Sequence, residues 1–178
     1  MLLAYSNLDT AFHKAIELKT SFTFHEAIVA GKIEIVNDYL QEIDLANRYA
    51  EDGFTPIALA AFFNQTAIAK ILLKAGADPS LASKNGAKVN ALHAAVAKEN
   101  EELCRLFIEN DVDVNAVQTQ NVTALHAAAH RGNLKLVKLL VENGAQIDFA
   151  MDNGDTPISI AERDGHQAVV TYLKSHLK

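Results

Sequence analysis

The stretch TALHAAAHRGNLKLVKLLVENGAQID, residues 123–148, decides how the rest of the chain is read. Its first part, 123–130, is a run of small residues that the hydroxyl of Thr123 is placed to cap, and Gly132 ends the run as a glycine just past a helix does. Apolar positions then return at helical spacing in Leu134, Leu136, Val137, Leu139, Leu140 and Val141, until Asn143-Gly144 stops them. Two short antiparallel helices are predicted. Ala127, Ala128 and Ala129 let the first lie close to its partner, because a methyl adds little to the distance between axes. Such a pair still shows Leu, Val and Ala on one face, so copies of it must stack to bury that face.

A period is present. The Leu, Ile or Phe that opens each first helix recurs as Phe24, Ile57, Leu92, Leu125 and Ile158, at separations of 33, 35, 33 and 33 residues. Three positions beyond each stand Ala27, Ala60, Ala95, Ala128 and Ala161, the same residue every time, as expected where only a methyl fits between helices. Five repeats starting near 17, 50, 83, 118 and 151 account for most of the chain.

These units resemble ankyrin repeats. The second has Asp52-Gly53-Phe54-Thr55-Pro56-Ile57 and ends Ile71-Leu72-Leu73-Lys74-Ala75-Gly76-Ala77-Asp78; the fifth has Gly154-Asp155-Thr156-Pro157-Ile158. The third and fourth share Ala-Leu-His-Ala-Ala at 91–95 and 124–128. The resemblance covers about residues 17–174 and implies an all-α solenoid of stacked helix-turn-helix repeats joined by finger loops. It departs from the family pattern at Ala58 and Ser159, where His is usual, at Asn90, where Thr is usual, and at Phe22-Thr23, which stands for Thr-Pro. Weaker capping bonds are expected at those points, with the fold intact.

The organisation expected is an N-terminal helical extension, 1–20, followed by a repeat domain, 21–178. Within the extension, Leu8, Phe12, Ala15 and Ile16 fall at helical spacing behind a capping-box-like Ser6-Asn7-Leu8-Asp9. Such a helix either covers the first repeat or reaches a partner. Glu26 stands where the other repeats have Leu59, Ala94, Ala127 and Ile160, so the first edge is expected to be partly wet. At the other end, Lys174 and Glu162 replace apolar residues at stacking positions, the mark of a capping repeat with no sixth behind it. The loop 83–90 is two residues longer than its counterparts, either a functional finger or length drift in an exposed turn.

Composition sets further bounds. The chain has 178 residues, 49% of them hydrophobic, no Trp, and a formal net charge of −6. That charge argues against nucleic acid, whose binding needs Lys and Arg to neutralise phosphates. No segment reads as a signal peptide or a membrane span, and the single cysteine, Cys104, can form no internal disulfide. A cytoplasmic monomer is expected, although an exported protein without a visible signal would fit the same sequence.

Catalytic chemistry is sought in vain. There is no phosphate loop, no GxSxG and no CxxC. His126 and His130, at i and i+4, imitate a zinc pair, but Ala127 stands where a catalytic Glu would be and no third ligand is near in sequence. The resemblance assigns His126, like His25 and His93, to hydrogen bonds with the backbone of neighbouring turns. No enzyme, metal or cofactor is expected.

Binding remains. Behind the buried alanines each first helix turns two residues outward, and the loop tips add others; the resemblance implies that they line a concave face. From this face we take Phe54, Phe62, Phe63, Lys98, Val122, His130, Arg131, Arg163 and Asp155 as candidate partner-binding residues. Its N-terminal half is apolar and aromatic and its C-terminal half carries mixed charge. A protein–protein interaction module for a protein or peptide partner is expected, acting as scaffold, inhibitor or sequestering factor. The alternative is a substrate-recruiting or regulatory subunit of a larger enzyme system, and small-molecule binding would need a deep pocket between repeats. The phase of the repeat is itself testable: Leu125→Ala or Leu139→Ala is expected to cost about 2–5 kcal/mol in chemical denaturation. A loss below about 0.5 kcal/mol for both would place them outside the core.

Overall fold

Short polar caps and small-residue runs produce short helices, and the computed structural model has ten of them, in five pairs, across its described residues, 22–42 and 44–177, with the side chain of Glu42 left aside. The pairs are α1 (Phe24–Val29) with α2 (Ile33–Glu42), α3 (Pro56–Phe62) with α4 (Thr66–Lys74), and α5 (Ala91–Ala97) with α6 (Glu101–Ile108). Then follow α7 (Ala124–His130) with α8 (Leu134–Glu142) and α9 (Pro157–Arg163) with α10 (Gln167–His176). Each helix packs on its partner and on its counterpart in the next pair, giving an inner row of odd-numbered helices and an outer row of even-numbered ones. No strand occurs among the described residues, and none of their helices is long and apolar enough to cross a membrane. The helix expected over 1–20 lies outside the described residues.

The inner row is spaced by methyl groups. Ala27, Ala60, Ala95, Ala128 and Ala161 are all 0% exposed, and on either side of them Ile28, Ile57, Leu92 and Leu125 are sealed as well. Leu125 and Leu139 both belong to this core. The polar substitutions at the C-terminal end meet each other: Lys174 Nζ lies 2.7 Å from Glu162 Oε1, an exposed ion pair in place of an apolar stacking surface.

The expected weakening of caps holds at one position only. Asn90 replaces Thr without loss, because its Oδ1 accepts from the His93 amide at 3.0 Å while His93 Nδ1 accepts from the Asn90 amide at 3.3 Å. Ser159 closes the same reciprocal box with Thr156, at 2.9 and 3.2 Å. In the first pair the cap moves one residue along: Thr23 Oγ1 accepts from the Glu26 amide, and the Glu26 carboxylate accepts from the Thr23 amide at 2.7 Å. That second bond holds the Glu26 carboxyl below the usual carboxylate range. Only Ala58 leaves its box half made, with Thr55 Oγ1 accepting from the Ala58 amide and nothing returning.

Polar side chains tie each pair to the one before it. Gln65 Nε2 donates to the Val29 carbonyl (3.3 Å), Asn100 Nδ2 to Asn64 Oδ1 (3.1 Å), Asn133 Nδ2 to Glu99 Oε2 (2.8 Å), and His166 Nε2 to the His130 carbonyl (2.9 Å). The backbone beneath must be left-handed. Gly132 has φ +66°, and a Cβ on it would sit 2.4 Å from the His166 ring. Asn64 and Glu99 take the equivalent turn at φ +56° and +55° as non-glycine residues. A second set runs between loops, where Asn47 bridges the Gly76 carbonyl and the Asp78 amide, and Asn115 bridges the Gly144 carbonyl and the Gln146 amide.

The fingers also join. The long one is braced internally by Ser83 Oγ, which accepts from the Val89 amide, and by the Ser83 amide, which donates to the Val89 carbonyl. The Lys84 amide reaches back to the Gly53 carbonyl and the Ala87 carbonyl accepts from the Thr119 amide; further on, the Gln120 carbonyl accepts from the Asp152 amide.

His93 makes the stability of this scaffold sensitive to pH. It is buried, its Nδ1 accepts from a backbone amide, and its Nε2 therefore donates to the Ala116 carbonyl at 3.0 Å. Burial pushes its pKa down to about 4. Because the unfolded chain takes up this proton near the ordinary value of about 6.5, the neutral ring stabilises the fold above that pH. The contribution is lost progressively as pH falls towards 4, by up to about 3 kcal/mol. Urea denaturation between pH 7 and pH 4 is expected to show this loss, and a shallower slope in His93→Gln.

Candidate functional site

Each inner helix ends in two residues that project past the alanine row, and the finger before it supplies the opposite wall. Between the first and second pairs this makes a groove of about 520 Å³, with Val29, Leu59 and Phe63 on the helix side and Ala50, Glu51 and Asp52 on the finger side. Thr23, His25 and Glu26 line it as well. A second groove, of about 350 Å³, lies between the fourth and fifth pairs and includes Val122, Ala127, His130, Met151, Asp155, Ile160 and Arg163.

The candidate residues fall into separate places. Phe62 and Phe63 are 45% and 42% exposed and touch edge to face, with ring centroids 5.3 Å apart. Lys98 reaches across from the next pair and sets its Nζ 4.0 Å from the centre of the Phe62 ring, a cation–π contact. Phe54 does not join them: it is half-buried against the core, with its amide held by Asp52 Oδ1 at 3.1 Å. Of the three aromatic candidates only Phe62 and Phe63 thus pair on the surface, since the tight turn at Asp52-Gly53 leaves Phe54 packed on the core.

Val122, His130, Asp155 and Arg163 do share one groove, the second. Their charges are met internally. Arg163 Nη1 lies 2.7 Å from Asp155 Oδ2, and this hydrogen bond lowers the Asp155 pKa and raises that of Arg163. His130 Nδ1 lies 2.6 Å from Asp164 Oδ2. Arg131 stands apart, 3.7 Å from Glu99 Oε1.

His126 and His130 do not converge. His126 Nδ1 is taken by Thr123, whose amide donates at 3.1 Å, so the imidazole points into the stack while His130 faces Asp164. Burial lowers the His126 pKa, opposed by the backbone of Asp155 and Phe149, yet Nε2 makes no hydrogen bond of normal geometry. No group of three or more His, Cys, Asp or Glu suited to a metal ion occurs among the described residues. Cys104 is sealed in the outer row, where burial pushes its thiol up to about 12 and leaves it without a thiolate at neutral pH.

Sequence reasoning missed Met151 and the buried Leu59 as groove-lining residues. Glu26 is exposed, as a wet edge requires, and its carboxylate in addition caps α1 and lines the first groove, which sequence reasoning did not foresee. The capping box Thr23-Phe24-His25-Glu26 was the available signal.

The repeat is also recognisable by comparison. A family model described as ankyrin repeats (3 copies) matches residues 24–118 and 92–178. The chain is 30% identical over 95 residues to a putative ankyrin repeat protein of Fowlpox virus (strain NVSL), covering 52% of this chain and 16% of the viral protein. It is 32% identical over 81 residues to the Homo sapiens ankyrin repeat family A protein 2, covering 46% and 25%. It is 32% identical over 112 residues to the human transient receptor potential cation channel subfamily A member 1, covering 58% and 10%. The chain thus spans a quarter or less of each of these relatives. With paired helices at a 33-residue period, methyl-spaced inner helices and a family model that matches residues 24 to 178, the chain belongs to the ankyrin repeat family.

Proposed function

We propose that this chain works by occupying the surface of a partner protein or peptide with the face made by its inner-helix ends and finger tips. Ankyrin repeats are generally protein–protein interaction modules, typically without catalytic activity. The observation that carries the reading is the Phe62–Phe63 pair, two neighbouring aromatic rings left more than two-fifths exposed beside a groove. Large apolar side chains grouped on a surface mark interfaces more often than accidents. The output is scaffolding, inhibition or sequestration by a monomer in the cytoplasm. A substrate-recruiting or regulatory role in a larger enzyme system uses the same surface and adds a second site, for which residues 1–20 are the candidate.

Crosslinking pull-down with the full chain identifies the partner and tests the surface. The double variant Phe62→Ala/Phe63→Ala is expected to weaken partner binding by about 2 kcal/mol or more, as loss of aromatic anchors does. Its stability should stay within about 1 kcal/mol of the parent, because both rings are already partly in water. Phe54→Ala is expected to behave differently and to cost stability, since that ring packs on the core. Normal binding by the double variant would remove the aromatic pair from the interface.

A further inference from the structure

The two grooves differ in how their charges are satisfied. In the groove between the fourth and fifth pairs, Arg163 is held by Asp155 and His130 by Asp164. In the groove between the first and second pairs, Glu26, Glu51 and Asp52 line the walls, and no lysine or arginine is among the described residues lining it. Glu26 accepts from the Thr23 amide and Asp52 from the Phe54 amide, and none of the three carboxylates has a cationic partner among the described residues. Beside them the surface is apolar: Phe63 is 42% exposed, Val29 is half-buried and Leu59 forms the floor. Three carboxylates with no cation beside them among the described residues, around an apolar floor, repel an anionic segment and attract a cationic one. A purely apolar ligand would have to desolvate them with nothing in return.

We propose that this groove receives a cationic–apolar segment of the partner protein. One large apolar side chain sits against Phe63, Val29 and Leu59, and a lysine or arginine within two residues of it faces Glu26, Glu51 and Asp52. The volume of about 520 Å³ is of the size that side-chain and small-ligand sites take. This assignment rests on the reading of the chain as a protein-binding module and names the chemistry of its partner.

The test pans a random peptide library displayed on phage against the full chain and measures the enriched peptides by fluorescence anisotropy. Enriched sequences are expected to carry Lys or Arg within two residues of a Leu, Ile, Met, Phe or Trp. Phe63→Ala is expected to weaken their binding at least about tenfold. Glu51→Gln/Asp52→Asn, which removes both charges and keeps a side-chain oxygen to accept from the Phe54 amide, should weaken it about three- to tenfold. Arg163→Ala should leave it within about twofold. Raising salt from about 50 mM to about 500 mM should weaken it several-fold, as screening of surface charges requires. Circular dichroism melts of all three variants should match the parent.

Acidic or neutral binders that depend on His130 or Arg163 would overturn this assignment and leave the protein-binding reading standing. Failure to enrich any peptide would count against both. A dimer in sedimentation equilibrium that Phe63→Ala abolishes would give the groove to a second copy. A zero-length carbodiimide crosslink from Lys14 or Lys19 to Glu51 or Asp52, unchanged by added peptide, would give it to the chain's own first twenty residues. Either result overturns the proposal.

Discussion

The methyl contact along the inner row is the constraint on which the rest of the structure depends. Ala27, Ala60, Ala95, Ala128 and Ala161 are sealed, and each lies where an inner helix meets its neighbours. A larger side chain there would have to push helices apart in a close-packed stack, and overpacking of that kind costs about 1–3 kcal/mol. Because every pair meets its neighbours through the same small residues, a displacement at one contact is passed to the next. The short helices, of six to ten residues, have little stability alone. They exist because each is covered on two sides.

That constraint is also why so much of the fold was legible in the sequence. A position that tolerates only a methyl repeats as alanine in all five units, and a Phe, Ile or Leu three residues before it recurs with it, so period and phase can be read from the residues themselves. The caps were legible as sites and misjudged as energies: Asn90 and Ser159 look like departures from a motif, yet each has the atom the cap needs at the right distance. What stayed hidden was the polar bridging between pairs. Gln65, Asn100, Asn133 and His166 do the same thing one repeat apart, but with three kinds of side chain and with a backbone carbonyl as acceptor in two cases and a side-chain oxygen in the other two, so only the Asn shared by two repeats hints at them. Of the candidate surface, Val122, His130, Asp155 and Arg163 come together in one groove, whereas the inward packing of Phe54 depends on which way the turn at Gly53 folds.

Apolar stacking and polar bridging act on different features of the same stack. Burial of Leu125, Leu136 and Leu140 is non-directional and would tolerate small rotations of one pair on another. Bonds such as those of Asn115 to the Gly144 carbonyl and the Gln146 amide require a donor and an acceptor at set positions, so they fix the register. Finger-to-finger bonds from Lys84 to Gly53 and from Thr119 to Ala87 extend that register to the loop tips. Tips held in this way present a pre-ordered surface, and a pre-ordered surface loses less conformational freedom when it binds.

On the proposed reading, stability and recognition are thereby carried by different residues. The alanines and leucines that set the stack are buried, while Phe62, Phe63, Glu51 and Asp52 stand on helix ends and loop tips where packing imposes little. Surface chemistry can then change from one end of the array to the other without altering the core, and it does. Towards the C-terminus the charged side chains find partners on their own or the neighbouring pair, as Arg163 does with Asp155 and His130 with Asp164. A ligand there must compete with pairs already formed. Towards the N-terminus the carboxylates of Glu26, Glu51 and Asp52 lack a cation among the described residues, and Phe62 and Phe63 stay partly exposed although Lys98 lies over Phe62. A cationic–apolar segment, as proposed, would therefore meet less internal competition at the N-terminal end of the stack than at the C-terminal end.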